Sequence, residues 1–175
     1  MVPLIPGIVG GFLLLESREE GTIKALLVAP TPLQSYVAVA CLSMAAVAFV
    51  VMLVTAPIIG VGLPPWPALI AISLAAAPSG PAYALLLSSV ANNKVEAFAY
   101  AKLFGVGPLF VLGTYFLAEP WQWLAVIYPP YCACKAYWVA EAGGSSWSIW
   151  VIAGLLSSAV WVAVLQRVFV SASRR

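Results

Sequence analysis

The sequence contains neither histidine nor aspartate, and only 8% of its 175 residues are charged. Within this chain, those absences exclude Ser-His-Asp and Cys-His nucleophiles, His-ligated zinc and paired-aspartate chemistry. Soluble domains carry about 25% charged residues, whereas 63% of this chain is hydrophobic. The composition therefore predicts an integral membrane protein. The net charge of +2 is too small to predict nucleic-acid binding.

The sequence also lacks a Gly-Lys-Ser/Thr phosphate loop, which a nucleotide-binding subunit would carry. Its three cysteines are Cys41, Cys132 and Cys134. Cys41 lies in an apolar run, where cysteine is most simply a small buried hydrophobe. Cys132 and Cys134 have no further Cys or His near them, so structural cysteines are favoured over a metal site. We expect no catalytic residue, no cofactor and no metal ion.

Uncharged apolar runs predict membrane helices, because about 20 residues cross the hydrocarbon core. The pattern predicts a single all-α membrane domain over residues 1–175, with about five spans. The first run is too short for a crossing and is interpreted as the second half of a span. The chain would then be a fragment, or its start would be wrongly assigned. The predicted spans are 2–15, 36–60, 68–90, 98–117 and 148–168.

Aromatic residues and prolines crowd the segment 119–146, which we call the outer aromatic segment. It is too broken for a straight span, and it predicts short helices in, or dipping into, the membrane interface. Its aromatics could gate or bind an amphipathic substrate, or only anchor the chain at the interface. Prolines inside 68–90 predict a kink that could mark a substrate path or serve packing alone. The candidate path or gate residues are Pro78, Pro81, Trp121, Trp123, Tyr131 and Trp138.

A dense group of charges at 16–24, the charged island, lies between two apolar runs. It must lie at a membrane surface, because a charge at the bilayer centre costs about 2.5–3.5 kcal/mol. Ser17 and Glu20 have the spacing of a capping box, and the apolar residues after them recur at helical spacing. The pattern predicts a short amphipathic helix over 18–28. A simple interfacial connector is the alternative.

Alternating the loops across the membrane places seven basic residues on one side and one, Lys135, on the other. The positive-inside rule then predicts that the charged island, the loop near Asn92 and the C-terminus are cytoplasmic. We expect a multi-pass protein of a bacterial plasma membrane. A second cytoplasmic contact is predicted at this loop, with a solvated turn as the alternative. Its residues are Asn92, Asn93, Lys94 and Glu96.

Two motifs resemble those of a known family. The run EEGTIKALLVAP at 19–30, followed by Tyr36, resembles the signature of permease subunits of type-2 ABC exporters. The run PGIVGGFLLL at 6–15 and the run NNKVE at 92–96, followed by Lys102, resemble the fluoroquinolone-export-permease branch. The resemblance extends through most of the chain.

The resemblance implies a subunit of six spans, of which this chain matches the second to the sixth. It also implies a coupling helix that docks on a separate ABC ATPase subunit, and a second permease subunit, identical or related. Short re-entrant helices would precede the last span. The residues that match the coupling helix are Arg18, Glu19, Glu20, Gly21, Thr22, Ile23, Lys24, Leu26 and Leu27.

The leading hypothesis is therefore the transmembrane subunit of an ATP-driven exporter that moves a hydrophobic or amphipathic small molecule, drug-like or lipid-like. The alternative is a stand-alone channel or secondary transporter, which usually keeps a charge deep in a span. A membrane enzyme acting on lipid is a third hypothesis. It would need a catalytic base or metal ligands, and only boundary glutamates are available.

Overall fold

The structure is a computed structural model that describes residues 3–22, 33–60, 62–117 and 119–173. In this part of the chain every regular element is helical, which confirms the predicted all-α membrane bundle. The elements are α1 (Leu4–Glu19), α2 (Leu33–Ile59), α3 (Trp66–Ala76), α4 (Ser79–Val90), α5 (Lys94–Phe104), α6 (Gly107–Tyr115), α7 (Glu119–Gln122), a 3-10 helix (Trp123–Ile127), α8 (Pro129–Glu141) and α9 (Trp147–Ser173).

Within the described residues, four helical stretches are long and apolar enough to cross a membrane. They are Leu33–Ile59, Trp66–Val90, Lys94–Tyr115 and Trp147–Ser171. Each overlaps one of the predicted full-length spans. Helix α1 has 16 residues and is about 24 Å long at 1.5 Å per residue, shorter than the roughly 30 Å hydrocarbon core.

The stretch Trp66–Val90 is the centre of the bundle. In its most apolar part 72% of the residues are buried, against 17% in α2, so α2 presents most of its surface to the surroundings. The stretch is interrupted between α3 and α4, where the Gly80 N–H donates to the Ala77 carbonyl at 3.1 Å. Pro78 and Pro81 have no N–H to continue the helical ladder. The predicted interruption near the middle of this span is therefore present.

Helix α1 packs tightly along α4, and glycine permits this close approach. A Cβ atom added at Gly7 would lie 2.6 Å from the Gly80 carbonyl oxygen, and one at Gly11 would lie 2.9 Å from the Leu87 side chain. Small residues let membrane helices approach backbone to backbone, which increases their van der Waals contact. The glycines of the first apolar run therefore serve helix packing.

The bundle has two chemically different ends. At one end, which we call the charged end, the last turn of α1 meets the start of α5. At the other, the aromatic end, the 3-10 helix and α8 pack against the start of α9 around Tyr131, Cys132 and Trp150. The three short elements α7, 3-10 and α8 make up most of the outer aromatic segment, in keeping with the prediction of short helices.

Two predicted boundaries were wrong. Ser17 does not start a new helix, because α1 continues through the charged island to Glu19. Its hydroxyl donates to the Leu13 carbonyl at 2.9 Å, so Ser17 and Glu20 form no capping box. The span predicted at 98–117 begins earlier, at Lys94, and Lys102 lies in the last turn of α5.

Candidate functional site

The predicted coupling residues lie at the charged end as far as the structure describes them. Arg18 and Glu19 occupy the last turn of α1, and Glu20 follows as its C-cap residue. Gly21 then turns the chain with a φ of +79°, a conformation that glycine adopts without steric cost. The carboxylates of Glu19 and Glu20 belong to exposed residues, available to a partner. Thr22 is exposed as well. The other predicted residues, Ile23, Lys24, Leu26 and Leu27, lie outside the described residues.

Lys94 brings the two predicted cytoplasmic contacts together. Its ammonium Nζ lies 2.7 Å from Glu16 Oε1, and its backbone N–H donates to Glu19 Oε1 at 3.2 Å. These residues are more than 70 positions apart in the chain. The turn near Asn92 is therefore exposed to solvent and is also bonded to the charged island. Its role as a second contact with a cytoplasmic partner stays a prediction.

The start of α5 is fixed by its own cap. The Asn93 side chain accepts a hydrogen bond from the Glu96 N–H at 2.9 Å. In return, Glu96 Oε2 accepts from the Asn92 N–H at 2.9 Å. Such reciprocal bonds satisfy backbone donors that a helix start leaves free. Of the four residues predicted as a second contact, three thus position the helix, while Lys94 reaches α1.

The chain on both sides of the segment 23–32 is also held at the charged end. The Ser17 hydroxyl lies 3.2 Å from the Tyr36 hydroxyl, which connects α1 to the first turn of α2. Gln166 of α9 donates to the Gln34 carbonyl at 3.5 Å. Three helices are therefore linked by the residues that flank the predicted coupling segment.

At the aromatic end, a cavity of about 170 Å³ lies beside the break between α3 and α4. Its walls come from the start of α1, from α2, α4 and α6, from the break itself and from α8. They are predominantly apolar, with a few hydroxyl and thiol groups. The lining residues include Met52, Ser79, Tyr83, Val111, Tyr128, Cys134, Tyr137 and Trp138.

Of the predicted path or gate residues, Trp138 lines this cavity, and its ring packs edge-on against Tyr115 at 5.0 Å. Tyr131 is fully buried in the core of the aromatic end. Trp121 and Trp123 are exposed, and the Trp123 ring lies 4.9 Å from that of Trp150.

Pro78 and Pro81 form the break but do not line the cavity. Sequence reasoning did not select Tyr83, Tyr128 or Cys134, which come together only in the fold. The available signal was a tyrosine, Tyr83, inside an otherwise apolar span. In the described part of the chain, no group of three His, Cys, Asp or Glu side chains is placed to hold a metal ion.

Residues 1–166 match the protein family described as "Fluoroquinolones export permease protein Rv2686c-like". The chain belongs to this family. The match confirms the resemblance to the fluoroquinolone-export-permease branch, and it agrees with the apolar helices in describing a membrane permease.

Two curated relatives are similar to the chain, both from Mycobacterium tuberculosis. They are the fluoroquinolones export permease proteins MT2760, of strain CDC 1551 / Oshkosh, and Rv2686c, of strain ATCC 25618 / H37Rv. Each is 30% identical over 171 residues, which is 95% of this chain. The chain spans 66% of the length of each relative. No solved structure matches the chain.

Proposed function

We propose that this chain is a transmembrane subunit of an ATP-driven exporter that moves an amphipathic drug-like molecule across a bacterial plasma membrane. An ABC ATPase would dock at the charged end, and a second permease subunit would complete the pathway. The names of the two relatives support a fluoroquinolone as the first substrate to test. We place the C-terminus in the cytoplasm, so the aromatic end would face the outside. A cysteine placed at the exposed Ser145 should therefore be labelled from outside.

The observation that carries the proposal is the position of Lys94. Through Glu16 and Glu19 it joins the end of α1 to the start of α5. An ATPase that binds the charged island would therefore be in reach of both helices. The contact is exposed, with 50% of the Lys94 side chain and 41% of the Glu16 side chain accessible, so a partner can reach it.

The proposal is tested by reversing one charge in the island. Glu20 is the best choice, because Glu19 also accepts the bond from Lys94 and its loss would disturb the permease itself. We expect Glu20→Lys to lower co-purification of the ATPase roughly fivefold, since like charges brought together at an interface oppose binding. The ATPase would be that encoded beside the permease.

Glu141→Lys is the matched control, because Glu141 is an exposed glutamate at the aromatic end. It should leave ATPase recovery unchanged at equal membrane levels of the permease. Equal recovery with wild type and Glu20→Lys would count against docking at the charged island.

A further inference from the structure

The cavity at the aromatic end contains a hydroxyl group without a partner. Ser79 is one of the residues that line the cavity, it is 1% exposed, and its Oγ has no hydrogen-bond partner among the described residues. A buried hydroxyl left unsatisfied costs about 1–3 kcal/mol. Ser88, Ser89 and Thr114 avoid this cost, since their hydroxyls donate to backbone carbonyls three or four residues earlier.

Two other buried serines, Ser73 and Ser158, also lack a partner in the described part of the chain. Neither of them lines the cavity. Ser79 is therefore distinguished by two observations together, an unused hydroxyl and a cavity beside it. Its position at the break between α3 and α4 also fits the general rule that interrupted membrane helices face a cavity.

Two tyrosines supply further hydroxyl groups, and one of them, Tyr83, lies one turn after Ser79 on α4. The hydroxyls of Tyr83 and Tyr128 form a hydrogen bond with each other, and both side chains line the cavity. In such a pair one hydroxyl donates and the other accepts, so the accepting hydroxyl keeps a proton of its own. The residues that line the cavity thus include hydroxyl donors, while the rest of the lining is apolar or aromatic and includes Trp138 and Tyr137.

The size of the cavity limits what it can take. An engineered apolar cavity of about 150 Å³ binds benzene, and this cavity is about 170 Å³. One aromatic ring fits inside, and a larger molecule would have to leave its remaining parts outside. Ligand sites of this kind are mostly apolar, with a few polar groups that fix the orientation of the ligand.

From these observations we infer that the cavity binds one aromatic ring of an amphipathic molecule, whose carbonyl or similar acceptor receives a hydrogen bond from Ser79. The inference rests on the proposed export function and deepens it, because it assigns a binding site for the exported molecule within a single subunit. It makes Ser79 a binding residue and leaves Pro78 and Pro81 the structural task of opening the helix.

The test uses two fluorinated probes of similar shape, 4-fluoroacetophenone, which has a carbonyl acceptor, and 4-fluoroethylbenzene, which has none. Their binding to the chain in lipid nanodiscs is measured by 19F NMR titration, with empty nanodiscs as the reference for partition into lipid. Three proteins are compared: wild type, Ser79→Ala and Ser73→Ala. Because lipid partition is the same for all three, differences between them report the protein site.

We expect Ser79→Ala to raise the dissociation constant of 4-fluoroacetophenone about fivefold, the value of one net hydrogen bond. The affinity for 4-fluoroethylbenzene should stay the same, and Ser73→Ala should change neither. The inference would be overturned if neither probe bound saturably. It would also be overturned if wild type and Ser79→Ala bound 4-fluoroacetophenone with equal affinity. A loss from Ser73→Ala as large as that from Ser79→Ala would overturn it too.

This experiment needs neither ATPase nor transport, so it separates the two proposals. Saturable, Ser79-dependent binding in a chain that recovers no ATPase would contradict the proposed function and support the site. If ATPase recovery depends on Glu20 but the affinity for 4-fluoroacetophenone is the same in wild type and Ser79→Ala, only the binding site would be contradicted.

Discussion

At the charged end, Lys94 and Glu16 meet with half or nearly half of their side chains exposed, whereas Tyr131 at the aromatic end is completely buried. The first contact is a polar pair in reach of water, and the second is aromatic packing against Trp150, with ring centroids 6.0 Å apart. Exposed ion pairs contribute little to stability and can be exchanged for contacts to a partner. Contacts between buried side chains cannot be replaced in this way, because separating them would leave a void in the core.

From this difference we expect separate tasks for the two ends. The charged end has the contacts expected of a surface that binds and releases another protein. The aromatic end has the packing expected of a fixed frame around a small cavity. Substitutions should therefore affect stability mainly at the aromatic end and association mainly at the charged end.

The largest loss of stability is expected from Tyr131→Ala. The side chain is 0% exposed, and truncating a buried aromatic residue costs about 3 kcal/mol or more. Unfolding in detergent, followed by circular dichroism, would measure it. Trp121→Ala is the control, because Trp121 belongs to the same segment but is 64% exposed. A similar loss of stability from both variants would mean that the burial of Tyr131 does not make it more important for stability than the exposed Trp121.

A smaller loss is expected from Gly7→Ala, where the added methyl group would meet the Gly80 carbonyl oxygen at 2.6 Å. Overpacking of this kind costs about 2 kcal/mol. Gly113→Ala is the matched control, because a Cβ there has no atom within 4 Å. That variant should gain roughly 0.5 kcal/mol from the lower entropy of the unfolded chain. Equal effects on the unfolding midpoint would argue against the close packing of α1 on α4.

A third and smaller loss is expected at the charged end, from Asn93→Ala. It removes the cap of α5 and should cost about 1 kcal/mol, again measured by unfolding in detergent. Ser17→Ala should cost less, because Ser17 caps no helix and bonds within α1 and to Tyr36. If Ser17→Ala lowered stability more than Asn93→Ala, the helix cap would belong to Ser17 rather than to Asn93 at the start of α5.

These two positions show where sequence reasoning succeeds and where it stops. Both Ser17 to Glu20 and Asn93 to Glu96 have the spacing of a capping box, so local sequence does not choose between them. Packing decides: Leu14 and Leu15 are buried, and they hold α1 in helical form into the charged island. The start of α5 has no such continuation, and Asn93 caps it.

The spans and the break near Pro78 could be predicted, because hydrophobic length and missing N–H groups are local properties. The cavity could not, since Tyr83 and Tyr128 are 45 positions apart and meet only after the helices pack. The contact of Lys94 with Glu16 is of the same kind. Sequence indicated that both segments were polar and on one side, but not that they touch.

The central claim is that an ATPase contacts both segments of the charged end. Photo-crosslinking tests it most directly, with p-benzoylphenylalanine placed at Glu20, at Val95, which is 83% exposed, and at Trp121 of the aromatic end. In membranes that also contain the ABC ATPase we propose as the partner, we expect adducts from Glu20 and from Val95 and none from Trp121. Adducts from Trp121, or none from either position at the charged end, would contradict the account.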